Sequence, residues 1–142
     1  MKRYALLLTA AVVGCAREPT GPGQQAIVGN WTATKCEYVS TGGLGTVELI
    51  GAGGTATMSL NADSTLVYVY TPTSGPPQMF TGTWEMTSAD LMRVTPTGAT
   101  WYWAWDVALS GNTLTLTGAG AEYDFNHDGF GESAQWNLVL TR

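Results

Sequence analysis

The amino-acid sequence predicts an all-β protein, an antiparallel up-and-down β-barrel of about eight to ten strands. Short runs rich in Thr, Val, Tyr and Trp are separated by turn clusters of Gly, Asn, Asp, Ser and Pro. Apolar and polar residues alternate within several of these runs, and no run has a convincing helical period. Because an open meander leaves strand edges unpaired, we expect it to close into a barrel, with a sandwich as the alternative.

The predicted strands occupy the runs between the turn clusters, and threonine marks their outer face. Leu114 and Leu116 alternate with Thr113, Thr115 and Thr117, which puts the leucines on the buried side. The short connections favour antiparallel hairpins between neighbouring strands. The predicted strands cover residues 28–39, 46–50, 55–61, 65–72, 78–86, 91–95, 100–109, 113–118, 121–125 and 134–141.

The beginning of the chain resembles a bacterial lipoprotein signal. Lys2 and Arg3 precede an apolar run over residues 5–13, and Gly14 stands directly before Cys15. In the lipobox that this pattern resembles, the cysteine is lipidated and becomes the first residue after cleavage. The resemblance implies a lipid anchor at Cys15 and a location in the bacterial cell envelope.

The same resemblance divides the chain into three parts. It implies a signal peptide over residues 1–14, followed by a flexible Pro- and Gly-rich tether over residues 15–26 and one barrel domain over residues 27–142. The apolar run, about nine residues long, is too short to cross a bilayer, so attachment depends on the lipid. In double-membrane bacteria an aspartate directly after the lipidated cysteine favours retention at the inner membrane. Here that position is Ala16, so we expect the protein at the outer membrane, facing the periplasm.

Charge and cysteine content limit the function further. Cleavage would leave four Lys and Arg residues against 11 acidic ones, a net charge of about −7, and four scattered cations form no basic patch for nucleic acid.

Cys36 would be the one free thiol, so no intramolecular disulfide is expected. Neither Cys36 nor the single histidine, His127, belongs to a recognisable catalytic motif, so we expect a protein that is not an enzyme. We also expect a monomer.

Three tryptophans share one face of one predicted strand, because positions 101, 103 and 105 are separated by two residues each. These indoles either fill the barrel core or form the wall of a ligand cavity, since a barrel of this size holds side chains or one small ligand. Nearby aromatic residues in the other strands complete the candidate wall. The candidate ligand-binding residues are Trp101, Trp103, Trp105, Tyr68, Tyr70 and Phe80.

The segment near the C-terminus has the spacing of a calcium loop. Alternate oxygen side chains followed by a glycine suit a hard cation, and the position that offers a backbone carbonyl falls on Phe130. The twelfth position is Gln135 instead of a bidentate glutamate, and the flanks are predicted strands, so this is not an EF-hand. A structural Ca²⁺ and a plain hairpin turn remain alternative interpretations. The candidate metal ligands are Asp124, Asn126, Asp128, Phe130 and Glu132.

The first predicted strand has two alternative readings. Counting by twos from Trp31 places Lys35 and Glu37 on the inner face, where they would form a charged pair for a ligand headgroup. A β-bulge would reverse the alternation and turn Cys36 and Tyr38 inward instead.

The predicted domain as a whole resembles the bacterial lipocalin-like lipoproteins. The segments that carry the resemblance are 29–31 (Gly-Asn-Trp), 81–85 (Thr-Gly-Thr-Trp-Glu), 109–117 and the chain end 138–142. The resemblance implies that Trp31 plugs the closed end of the barrel and that Arg142 packs over it. It also implies binding of a small hydrophobic molecule.

We therefore expect a membrane-anchored protein that binds or carries a small hydrophobic ligand. The alternative is an envelope interaction or inhibitor module whose barrel is fully packed and whose loops contact a partner protein. A cavity of a few hundred cubic ångströms beside the tryptophans favours the first function. An exposed aromatic patch on the loops favours the second.

Overall fold

The computed structural model describes residues 21–142, so the predicted signal and the lipid-anchor residue Cys15 lie outside the described part of the chain. One short helix and nine strands make up the fold. The bounds are α1 (Gln24–Ile27), β1 (Gly29–Ser40), β2 (Thr46–Glu48), β3 (Thr55–Leu60), β4 (Thr65–Thr71), β5 (Gln78–Met86), β6 (Leu91–Pro96), β7 (Trp103–Ser110), β8 (Thr113–Tyr123) and β9 (Glu132–Thr141). No described helix is long and apolar enough to cross a membrane.

The strands form a closed antiparallel barrel, which confirms the predicted fold class. Strand β1 is followed around the barrel by β3 to β9 in chain order, and β9 pairs again with β1. Strand β2 is additional and pairs only with the far end of β1, from Glu37 to Val39. Closure leaves eight strands in the barrel wall and removes the exposed edges of an open meander.

A β-bulge in β1 decides which of its side chains face inward. The register against β9 shifts between Ala33 and Lys35, so the alternation reverses at this point. Cys36 is fully buried, and Tyr38 packs against the core. The interpretation with a bulge is therefore confirmed, and the reading that placed Lys35 and Glu37 at the cavity mouth is wrong. These two residues form an ion pair of 2.8 Å on the partly exposed face of the strand.

A second bulge joins two predicted strands into one. The runs predicted as 113–118 and 121–125 are parts of the single strand β8, and its register against β9 shifts between Leu116 and Ala119. Gly118 has φ +87, which an L side chain adopts only with strain, and its N–H donates a 2.8 Å bond to Asn137 Oδ1. The glycines in this run indicated a turn, but they accommodate the bulge instead.

The helix α1 and the chain end close one end of the barrel. The indole of Trp31 donates a 2.9 Å bond to the carbonyl of Ile27, the last residue of α1. The Arg142 guanidinium lies over the Trp31 ring and donates to the carbonyls of Val28 and Ala26 at 3.1 and 3.2 Å. Part of the segment predicted as tether thus belongs to the domain, because α1 covers the core with Ile27.

Large apolar side chains fill the half of the barrel next to α1. Here β1 begins, β3 ends and the β5–β6 and β7–β8 hairpins turn, so side chains from all eight wall strands converge. The fully buried residues of this half include Trp31, Leu60, Trp84, Met92, Trp105, Leu114, Leu116, Leu138 and Leu140. The opposite half, toward the end of β1 and the beginning of β9, is not filled in this way.

Candidate functional site

A cavity of about 1240 Å³ opens at the end of the barrel opposite α1. Five strands, β1, β4, β5, β7 and β9, bring aromatic side chains to its wall near this end. The main aromatic side chains around the cavity are Tyr38, Tyr68, Tyr70, Phe80, Trp103 and Trp136. The barrel is therefore a packed core in one half and an open aromatic chamber in the other.

The three tryptophans on one face of the predicted strand have three different environments. Trp105 is 1% exposed and belongs to the packed core, so it does not line the cavity. Trp103 forms part of the wall. Trp101 precedes β7 at the rim, where it is 53% exposed and contacts the Trp103 ring edge-on at 5.0 Å. Core filling and cavity lining are thus both present along this one segment.

The other three candidate wall residues line the cavity together. Tyr68 and Tyr70 come from β4, and Phe80 comes from β5. The Tyr68 and Phe80 rings lie 6.2 Å apart, and Phe80 meets Trp103 edge-on at 5.9 Å. This places the side chains from β4, β5 and β7 in one continuous aromatic surface.

Trp136, which the sequence analysis did not single out, lies at the boundary between the core and the cavity. Its ring centroid is 5.1 Å from that of Trp105, 5.2 Å from those of Trp103 and Tyr68, and 5.9 Å from that of Tyr38. The alternation of Ala134, Trp136, Leu138 and Leu140 in β9 was the signal that could have identified it.

Tyr38 and Tyr123 extend the aromatic surface towards the loops. Their rings stack with a centroid separation of 4.9 Å and an interplanar angle of 26°. Tyr38 reaches this position only because of the bulge in β1, and Tyr123 only because β8 continues past Gly118. The sequence analysis turned Tyr38 inward only in its alternative with a β-bulge, and it did not identify Tyr123.

Cys36 lies buried beneath the cavity, where its thiol forms polar contacts with two wall residues. Its sulfur accepts a 3.4 Å hydrogen bond from the Trp136 indole and lies 3.6 Å from the Tyr68 hydroxyl. Burial raises the pKa of the Cys36 thiol, although the hydrogen bonds from Trp136 and Tyr68 oppose the shift. Burial likewise raises the pKa of Tyr68, with the neighbouring Cys36 adding to the effect. A protonated, buried thiol is a poor nucleophile. The contacts of Cys36 with Trp136 and Tyr68 instead connect β1 to β9 and β4 beneath the cavity.

The carboxylates of the predicted calcium loop do come together. Oxygens of Asp124, Asp128 and Glu132 lie within 4.8 Å of one another. Each of the three already accepts at least one backbone N–H bond: Asp124 from Asp128 and Gly129, Asp128 from Phe130, and Glu132 from Phe125. A carboxylate has lone pairs left after such bonds, so the cluster could still ligate a cation.

The other two candidate ligands of this loop are Asn126, whose side chain contacts Asp128, and Phe130, which was predicted to contribute its backbone carbonyl. Asn126 accepts a 2.9 Å bond from the Asp128 N–H through Oδ1 and donates to Asp128 Oδ2 at 3.1 Å. Phe130 is 78% exposed, with its side chain in solvent. The backbone bonds are those of a hairpin loop built on Asx turns.

Large apolar side chains are also exposed around the cavity mouth. They belong to the β1–β2 and β8–β9 loops, the start of β5 and the segment before β7, all of which lie at the open end. These residues are Leu44, Met79, Trp101, Tyr102 and Phe130.

No protein-family model matches the chain, and no curated protein matches it significantly. The closed eight-stranded antiparallel barrel, with Arg142 packed over Trp31 at one end, is consistent with a lipocalin-like fold.

Proposed function

We propose that this protein binds and carries a small hydrophobic molecule in the open half of its barrel, without transforming it. The observation that carries the proposal is the cavity of about 1240 Å³ walled by aromatic side chains. Ligand sites are concave and mostly apolar, with a few polar groups that fix orientation. Here the tyrosine hydroxyls and Gln78 would supply such groups.

The hydrogen bonding of the indoles supports this function. Trp31, Trp84, Trp105 and Trp136 each donate to an acceptor within the protein. Within residues 21–142 no such acceptor is found for Trp103, whose ring lines the cavity. An indole N–H favours a partner when water is excluded, so a ligand oxygen or a retained water molecule would satisfy it.

We also propose that the protein is anchored to a membrane through Cys15. The described chain starts at the closed end, where Gly21 lies directly against the Ala89 carbonyl of the β5–β6 hairpin. The segment from Cys15 to Gly21 spans at most about 20 Å. The anchored barrel would therefore have its closed end nearest the bilayer and its mouth directed away from it.

Tryptophan emission tests the binding function. We expect quenching or a blue shift when apolar ligands are titrated into the full-length Cys15→Ser chain. Trp103→Leu should weaken binding about tenfold or more, because it removes a wall ring. Tyr102→Leu is the matched control, since this neighbouring side chain is 57% exposed and lies outside the cavity lining. Unchanged tryptophan emission with every member of a broad panel of apolar molecules would refute the proposal.

The lipid anchor has a separate test. We expect the wild-type chain to incorporate labelled palmitate and to fractionate with membranes when it is expressed in a double-membrane bacterium. The Cys15→Ser chain should do neither, whereas Cys36→Ser should behave as the wild type, because Cys36 is buried in the barrel. Equal labelling of wild type and Cys15→Ser would contradict the proposal.

The exposed apolar residues at the mouth favour a second candidate function, that of an envelope protein that docks a partner through its loops. Native mass spectrometry of the protein purified from its own host separates the two candidates. A small copurified molecule supports the carrier, while a stoichiometric protein partner with an empty barrel supports the docking module.

A further inference from the structure

We propose that the ligand is an organic cation with an apolar body, such as an alkylammonium or a protonated aromatic amine, and not a fatty-acid carboxylate. This inference rests on the proposed binding function and specifies the ligand of the same cavity. It follows from three observations: where the basic side chains lie, which acidic groups border the mouth, and how the aromatic faces are arranged.

None of the lysine and arginine side chains in the described residues lines the cavity. Lys35 is paired with Glu37 on the face of β1 that the bulge turns away from the interior. Arg93 binds Glu85 on the exposed face of the β5–β6 pair, with its Nε 2.8 Å from the carboxylate. Arg142 lies over Trp31 at the closed end. A carboxylate inside the cavity would therefore lack a cation to pair with, which makes its desolvation unfavourable.

The charged groups at the mouth are acidic instead. Glu122 and Asp124, at the end of β8, are the only acidic or basic residues among those that border the cavity. Asp128 and Glu132 lie beside Asp124 in the adjoining loop, with carboxylate oxygens within 4.8 Å. His127 of the same loop is exposed and does not line the cavity. In the calcium-free protein these charges produce a negative field at the entrance, which attracts cations and repels anions.

The aromatic wall can bind the cationic group once it has entered. Tyr38 and Tyr123 stack near the mouth, and Tyr70 and Trp103 line the cavity below. The face of an aromatic ring carries negative electrostatic potential, so it attracts an ammonium group placed within about 6 Å of its centroid. The Tyr38 hydroxyl is protonated at neutral pH, since the ordinary pKa of tyrosine is about 10 and burial raises the pKa of Tyr38 further, so it can orient the ligand without adding a charge. An organic cation would thus find attraction both at the entrance and along the wall.

Three ligands that share a twelve-carbon chain and differ only in headgroup test the proposal: dodecyltrimethylammonium, dodecanol and dodecanoate. Each is titrated into the full-length Cys15→Ser chain in the presence of a calcium chelator, at low salt and below its micelle concentration, with tryptophan emission and calorimetry as readouts. We expect the cation to bind at least about tenfold more tightly than the carboxylate, with the alcohol between them. Raising the salt concentration should weaken binding of the cation and leave binding of the alcohol nearly unchanged.

A substitution at the mouth provides the second measurement. Glu122→Gln should reduce the preference for the cation over the alcohol about two- to threefold, because it removes one charge at the entrance. Glu85→Gln is the matched control on the barrel exterior and should leave the preference unchanged. Tighter or equal binding of dodecanoate would overturn this inference and leave the binding function standing. Absence of binding by all three ligands would also overturn this inference, whereas the binding function is refuted only if the broad panel of apolar molecules fails to bind as well.

Discussion

The guanidinium of Arg142 lies 4.5 Å from the centroid of the buried Trp31 ring and binds two backbone carbonyls beside it. This contact ties the last residue of the chain to the first strand and to the segment that precedes it. It closes the barrel at the end where the core is packed, so the opposite end can stay open without loss of the fold.

Arg142→Met should lower the free energy of unfolding by about 1–2 kcal/mol, because it removes the cation–π contact and both carbonyl bonds while keeping the apolar stem. Urea denaturation measures the loss. Arg93→Met is the control, since Arg93 also lies over a ring but that ring, Tyr102, is exposed. The control should lose less than about 0.5–1 kcal/mol. Equal losses would show that the closed end is not held by this contact.

Trp105→Phe should destabilise the fold by about 2–3 kcal/mol, because the indole is fully buried and donates a 3.0 Å bond to the Trp136 carbonyl. Trp103→Phe should cost less than about 1 kcal/mol, since this ring is only partly buried and faces open space. Thermal and urea unfolding give the comparison. If the two variants lose the same stability, the division between packed core and cavity wall is wrong.

Gly82→Ala should destabilise the barrel by about 2 kcal/mol or more, because β5 and β6 approach each other closely at this residue. An added Cβ would lie 2.3 Å from the Thr95 carbonyl oxygen and 3.0 Å from Pro96 Cα, both of which are backbone atoms. Gly120→Ala in β8 is the control, since a Cβ there meets nothing within 4 Å. A wild-type melting temperature for Gly82→Ala would contradict the expected clash.

Glu48 makes the fold sensitive to acid. Its carboxylate fills the gap on the edge of β1 between the pairings with β3 and β2, where it accepts N–H bonds from Cys36, Ile50 and Gly51. Partial desolvation opposes ionisation, but these three bonds outweigh it and lower the pKa of Glu48. A folded-state pKa below the unfolded value of about 4.3 means that the ionised carboxylate stabilises the fold at neutral pH. This stabilisation is lost as the pH falls through the lower, folded-state pKa.

The prediction is that Glu48→Gln is less stable than wild type at pH 7 and that the difference shrinks as the pH falls below about 4. Urea unfolding at a series of pH values measures it. Asp106→Asn, an exposed site on β7, is the control. A difference that stays constant between pH 7 and pH 3 would contradict the role assigned to the charge.

We propose that calcium binds the loop carboxylates, which lie close enough to repel one another when ionised. Millimolar calcium should then raise the melting temperature by roughly 2–4 °C relative to a chelator, because binding to the folded state alone stabilises it. Asp124→Asn combined with Asp128→Asn should abolish the effect. Identical midpoints in calcium and chelator would exclude the metal.

Local patterns in the sequence were enough to predict the barrel, and the resemblance to the lipocalin-like lipoproteins implied its closed end. Alternation such as Leu114 and Leu116 against threonine identifies a strand and its buried face, since successive side chains point to opposite sides. The Gly-Asn-Trp motif and the terminal arginine indicated Trp31 and Arg142, and these residues do meet. Among the predicted ligand-binding residues, Trp105 belongs to the core. The others border the cavity: Tyr68, Tyr70, Phe80, Trp101 and Trp103.

The tertiary structure alone decided which aromatic side chains are core, wall or rim. Trp136 contacts Cys36 across 100 positions of sequence, and Tyr38 faces the cavity only after a bulge has reversed the alternation. A bulge shifts the side-chain pattern by one residue, and its position depends on how strands fit around the closed barrel. The sequence by itself determined the strands, because these follow from local alternation, and its resemblance to the lipocalin-like lipoproteins indicated the end that packs. The open chamber and its charge pattern arose from pairing between distant strands, which local alternation does not encode.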